Sequence, residues 1–275
     1  MDVREPFAVV TPTLDGPVLR VLAAAAAPLT THQVINLCAT GSPAGIRKVL
    51  RRLADQGIAV EARVGKTYTY EANRDHLAWP AVEHLSTLMQ RLDQHIRTAV
   101  EQWAIQPLSV ELFGSAARGE AAQDSDIDIL VVAPSLATDE LDTWETQTSD
   151  LHDAVAQWTG NSVEVLTLTP DELVDMVAEN APAVTERRRP IAGVPTTDLL
   201  PRSFAHTLST KTFTPSVAKA LNAQLTPSTA RLIAELAPTF TDELPQPLKA
   251  SLNEMAPKLQ LSRNARAALH GTTGP

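Results

Sequence analysis

The chain has 275 residues, of which 44% are hydrophobic but only 4% aromatic, so a core of ordinary size must be filled by aliphatic side chains. A single cysteine, Cys38, excludes an intrachain disulfide framework and fits a reducing compartment. The start Met-Asp-Val-Arg-Glu-Pro lacks the basic end and apolar run of a signal peptide, and Val21 to Ala27 is far short of a membrane span, so we expect a soluble cytoplasmic protein with no membrane contact.

The net charge of −9 is unevenly spread. Residues 1–76 carry nine cations against seven anions, residues 101–200 carry four against nineteen, and residues 201–275 carry eight against four. An acidic middle between mildly basic flanks predicts separate domains with separate partners. We place the divisions at 1–76, a connecting helix over 77–106, an acidic domain over 107–200, and a helical or partly disordered region over 201–275.

Residues 17–70 predict three helices and a hairpin. Pro17 suits a first helical position, ahead of Val18, Leu19, Val21 and Leu22. Thr30 or Thr31 caps a second helix bearing Val34, Ile35 and Leu37. The third has Ser42 as cap, Pro43 just inside, Ile46, Val49, Leu50 and Leu53 at helical spacing, and Gly57 as its stop. Ile58 to Ala62 and Thr67 to Tyr70 flank Val64-Gly-Lys66, a hairpin signal. This order resembles a winged helix-turn-helix domain, with the third helix in the recognition position. The resemblance implies DNA as a partner, held by Arg47, Lys48, Arg51 and Arg52 on that helix and by Arg63 and Lys66 on the wing.

Leu85, Leu88, Met89, Leu92, Ile96, Ala99, Val100 and Trp103 form one stripe over 80–104, which predicts a long helix. From 108 strands and helices alternate: strands at Leu108 to Phe113, Asp126 to Val132 and Ser162 to Leu168, a helix over Leu141 to Trp158, and a capping box, Thr169-Pro-Asp-Glu172, opening another. A further strand is expected around Ile191 to Val194. Beyond 200, Thr214-Pro, Thr226-Pro and Gln246-Pro start short helices, Ser262 to Leu269 forms another, and the last five residues read as disordered.

The chemistry concentrates in Leu112-Phe-Gly-Ser-Ala-Ala-Arg-Gly-Glu-Ala-Ala-Gln-Asp-Ser-Asp-Ile-Asp128. Asp126 and Asp128 are two apart on a strand, so they share a face, roughly 6 to 7 Å apart along the backbone. Gly114-Ser-Ala-Ala-Arg-Gly119 begins like a P-loop, but Glu120-Ala121 stands where Lys and Ser or Thr are required. Asp124, Asp126 and Asp128 mimic a calcium loop, but Ile129 replaces its glycine and Ser135 its final glutamate.

Gly114-Ser115, then Arg118-Gly119, then Ser125-Asp126-Ile-Asp128, resembles the nucleotidyltransferase superfamily related to DNA polymerase beta, in particular its minimal members, which include toxins of toxin-antitoxin pairs. The resemblance covers roughly 108–195. It implies an α/β core with a mixed sheet and transfer of a nucleoside monophosphate from an NTP to a hydroxyl. Two Mg²⁺ ions, replaceable by Mn²⁺, would be held by Asp126 and Asp128, with Glu164 as third ligand or general base. Gly114, Ser115, Arg118 and Ser125 are the candidate nucleotide contacts. Asp171 and Glu172 are poorer third carboxylates because the capping box explains them. Arg118 either reaches a phosphate or braces the acidic loop through Asp124 or Glu120, and Arg187 to Arg189 either meet an anion or lie on the surface. The acceptor is a tRNA, a protein or a small molecule, and an antitoxin is a further partner to consider. The alternative is a DNA-binding regulator whose transferase domain senses nucleotide or is inactive.

Overall fold

The computed structural model describes residues 1–2, 4–185, 187–193, 196–199, 202–210, 215–240 and 244–270. The chain divides into two compact units, one of residues 1–92 with 121–124 and one of residues 93–120 with 125–275.

The first unit holds helices α1 (Asp15–Ala24), α2 (Thr31–Leu37) and α3 (Pro43–Asp55), a sheet of β1 (Leu29–Thr30), β2 (Ala59–Val64) and β3 (Thr67–Ala72), and helix α4 (Trp79–Ser86). The sheet order is β1-β3-β2, antiparallel throughout. Thr30 caps α2 in a capping box with Gln33, and Ser42 caps α3 with Pro43 inside, as their side chains dictate. α1 begins at Asp15, which makes Pro17 its third residue rather than its first. Val18, Leu22, Val34, Ile46, Leu50 and Tyr70 share one core, while Phe7, Trp79 and Val82 form a smaller one.

The long helix expected over 80–104 is two helices, α4 and α5 (Leu88–Glu101), broken at Thr87. Thr87 leaves the helical region at φ −112° and ψ 18°, and its hydroxyl donates to Glu83 O at 2.7 Å. A threonine bonding its own preceding turn competes with continuation of the helix.

The second unit is built on a mixed four-stranded sheet, order β6-β5-β4-β7, with β4 at Ser109–Phe113, β5 at Ile127–Val132, β6 at Val163–Leu168 and β7 at Arg189–Gly193. β4 pairs antiparallel with β5 and β7, whereas β5 and β6 run parallel. The expected strand around 191–194 is β7; Val194 lies outside the described residues. The short helix α6 (Gly114–Arg118) joins β4 towards β5, and α7 (Leu141–Thr159) makes the crossover to β6. Thr169 caps α8 (Pro170–Ala178) in a capping box with Glu172.

Ile127, Ile129 and Val131 are fully buried on one side of β5, and Leu130 and Val132 on the other. The latter two share a core with Leu168, with Leu173 and Val174 of α8, and with helices from the C-terminal third: α11 (Arg202–Ser209), α12 (Pro215–Ala223), α13 (Pro227–Leu236), α14 (Gln246–Met255) and α15 (Arg263–His270). Two shorter helices, α9 (Pro182–Thr185) and α10 (Thr196–Leu199), flank β7 and contribute Val184 and Leu199 to that core. The C-terminal helices are therefore one face of the sheet's own core. Thr214 and the last five residues lie outside the described residues.

Candidate active site

The strand register assembles the site. Asp128 stands opposite Phe113 of β4 on one side and opposite Glu164 of β6 on the other, so the Asp128 and Glu164 side chains project from the same face of adjacent parallel strands. Asp126 lies one residue ahead of β5 and is exposed, Asp128 is half-buried and Glu164 is exposed. Ser125 is fixed from the crossover side, where the buried Asn161 donates to its carbonyl at 2.9 Å, and Ile127 N bonds Ser162 O at 2.9 Å.

Gly114 sits where β4 turns into α6, at φ +62°, a conformation that side chains rarely adopt. A Cβ there would overlap the Asp128 Oδ2 atom and lie 3.1 Å from its Cγ. The glycine and the aspartate are thus packed against each other, and the strand carboxylate fills the space that a side chain at 114 would take. Ser115 is half-buried in the first turn of α6. Arg118, the last residue of α6, donates from Nε to Glu120 Oε2 at 2.8 Å, a contact that braces the acidic loop.

Among the described residues no three His, Cys, Asp or Glu side chains converge closely enough to form a ready metal cluster. The donor set nevertheless suits a hard divalent ion, because Mg²⁺ is bound through one or two carboxylates with water and substrate phosphates completing its shell. Asp126, Asp128 and Glu164 supply carboxylate oxygens only, with Asp128 and Glu164 in register.

Glu111 went unnoticed in the sequence. It is 1% exposed on β4, accepts from Ser109 Oγ at 2.7 Å and from Thr196 N at 2.5 Å, and faces Arg188 Nη1 at 3.4 Å. Burial lowers the Arg188 pKa while Glu111 acts against it. Of the cluster 187–189, Arg188 is therefore committed to a buried pair and Arg189 pairs with Asp93 at 2.9 Å; Arg187 alone is exposed. Burial also raises the Asp93 pKa, with Arg189 opposing. Strand alternation concealed Glu111, since Val-Glu-Leu also reads as an outward-facing glutamate.

In the first unit Arg47, Lys48, Arg51, Arg52, Arg63 and Lys66 are all exposed. Arg52 is ion-paired with Asp15 of α1, whereas the other five form no ion pair among the described residues.

No curated protein matches the chain. A family model described as the nucleotidyltransferase domain matches residues 92–184, which include Gly114, Ser115, Asp126, Asp128 and Glu164, and this carboxylate-bearing part of the chain is similar to the nucleotidyltransferase superfamily.

Proposed function

We propose that the second unit transfers a nucleoside monophosphate from an NTP to a hydroxyl acceptor. The observation that carries this reading is the register of Asp128 with Glu164 beside the glycine turn that abuts Asp128. Gly114 lets phosphate approach the backbone, and the Ser115 hydroxyl donates to a phosphate oxygen. Arg118, held to Glu120 through Nε, is a further candidate phosphate contact. Glu164, open to solvent beside Asp128, takes the proton of the acceptor hydroxyl. The acceptor oxygen then bonds to the α-phosphorus, the bond from that phosphorus to the bridging oxygen breaks, and pyrophosphate leaves. Asp126 and Asp128, with Glu164, are the residues that would hold divalent metal, which when bound neutralises phosphate charge and acidifies the acceptor hydroxyl.

The acceptor is chosen from tRNA, protein and small molecules by one consideration. Residues 101–200 carry a net charge of −15, which opposes a large nucleic-acid footprint there and favours a protein or small acceptor. In the first unit the order of helices and the β2–β3 hairpin supports a winged helix-turn-helix that binds DNA through Arg47, Lys48, Arg51, Arg63 and Lys66. Arg52 would have to part from Asp15 to join them. A toxin-antitoxin role fits this pairing of a DNA-binding and a transferase unit, and regulation by nucleotide sensing is the competing reading.

Labelled NTPs with Mg²⁺ and cell extract, beside the Asp126→Ala, Asp128→Ala double variant, separate the two. Transfer by the wild type alone supports the enzyme. No transfer with any NTP, together with sequence-specific DNA binding, supports the regulator. About four phosphate contacts would give a log-log salt slope of roughly −3.6 for DNA binding, and salt-independent binding rejects that part of the proposal.

A further inference from the structure

A cavity of about 270 Å³ lies at the other end of the same sheet. Its wall includes Gln106 on the approach to β4, Pro134 just past β5, Arg231 of α13, Gln260, and Arg266 of α15. Ser109 pairs with Val132 and Phe113 with Asp128, so this end is opposite the carboxylates, about 13 Å from Asp128 to Val132 along β5 at roughly 3.3 Å per residue.

Arg231 is the unusual member. It is 8% exposed, its Nη2 donates to Pro107 O at 3.3 Å, and its Nε–H is buried with no acceptor. Its neighbour one turn on, Glu235, is fully buried and already occupied: it accepts from Ser135 N at 3.0 Å and from Ser262 N and Oγ at 2.8 and 2.6 Å. Gln106 spends its amide on Val100 O and Trp103 O. Glu140 also lines the cavity, but one of its oxygens accepts from Ala137 N at 2.8 Å and the other faces Arg263 at 3.6 Å. What remains open among the described residues is cationic and donor-rich: Arg231, the exposed Arg266, and the Gln260 amide.

We propose that this cavity binds a small anion through one carboxylate or phosphate group, which Arg231 and Arg266 grip together. A guanidinium presents paired N–H donors matched to such groups. Burial lowers the pKa of Arg231 while Glu235 acts against it, and a bound anion supplies the acceptor that its buried Nε–H lacks. Because Arg231 also holds Pro107 ahead of β4, and Arg266 belongs to α15, the ligand would tie the C-terminal helices to the sheet. The site is separate from the carboxylates and does not depend on the transferase reading.

The test is thermal unfolding of the full chain at constant ionic strength, titrated with inorganic phosphate and, in a second arm, with succinate. The expected result is a saturable rise in Tm with at least one of them, the responsive arm naming the group. Arg266→Gln, at an exposed position, should move half-saturation at least fivefold higher, and so should Arg231→Gln. Asp126→Asn with Asp128→Asn should leave it in place. Should Arg231→Gln fail to fold, Arg266→Gln carries the test. No saturable rise in either arm, or a rise unchanged by Arg266→Gln, overturns the proposal.

Discussion

Replacing Gly114 with alanine separates backbone strain from damage to the site. At φ +62° any Cβ incurs a left-handed penalty of about 1–2 kcal/mol. The same penalty applies at Gly160, the C-cap of α7 at φ +70°, but there no atom lies within 4 Å of an added Cβ. At Gly114 the Cβ overlaps Asp128 Oδ2, so the carboxylate must give way by about 1 Å, a displacement that costs on the order of 100-fold when it moves a reacting constellation. Urea unfolding should therefore show Gly160→Ala destabilised by about 1–2 kcal/mol, with kcat/KM for label transfer within about twofold of the wild type. Gly114→Ala should lose at least that stability and about 100-fold in kcat/KM. Full transfer by Gly114→Ala would refute the view that Asp128 is held by the glycine turn, and equal losses in both variants would attribute the effect to strain alone.

Glu235→Ala strips acceptors from Ser135 and Ser262 and leaves Arg231 without its charged neighbour, so it should cost about 3–5 kcal/mol in urea unfolding, while a loss below 1 kcal/mol would mean that water takes its place. Glu111→Leu and Arg188→Met should each cost about 3–5 kcal/mol alone and much less together, because each single variant strands a buried charge; additive losses in the double-mutant cycle would deny the pairing. The Tyr70 hydroxyl, buried and bonded to Glu61 at 2.5 Å, has its pKa pushed up to about 12. A raised folded value means stability that is intact below the unfolded value of about 10 and lost as pH climbs from about 10 to 12. Solvent around Glu61 reduces the expected loss to about 1–2 kcal/mol, and Tyr70→Phe should flatten stability against pH across that window; an unchanged slope removes Tyr70 as its source.

Features specified by a few neighbouring residues were legible in the sequence. Ser42 before Pro43 and Thr169 with Glu172 each cap a helix where their spacing says, since the cap bonds span three residues, and of Thr30 and Thr31 it is Thr30 that caps α2. Strand alternation placed Asp128 on the face opposite Ile127 and Ile129, and the parallel partner strand brought Glu164 level with it. Partners far apart in sequence were not legible: Glu111 and Arg188 meet across 77 positions, and nothing local distinguishes that glutamate from a solvated one. The same holds for Arg52, which sits on the exposed side of α3 as expected yet is tied to Asp15 of α1. Thr87 was misread because a hydrophobic stripe continues through it while its hydroxyl turns back onto Glu83. Of the C-terminal helices, α12, α13 and α14 announced their starts through prolines, but α11 was not anticipated, and the face of the sheet they all cover depends on the whole core.

The pairing of β5 with β6 has an evolutionary consequence. Leu166 and Leu168 lie on the same face as Glu164, in the core with Leu130 and Val132. A slip of one residue would carry Glu164 away from Asp128 and turn both leucines out of that core at once. Selection for folding therefore preserves the register of the two strands even in a lineage that no longer uses the carboxylates, while the exposed Glu164 can be exchanged without moving either leucine. Loss of chemistry in such a protein would arrive by substitution at Glu164 on an intact scaffold, and the scaffold alone would keep the appearance of an enzyme.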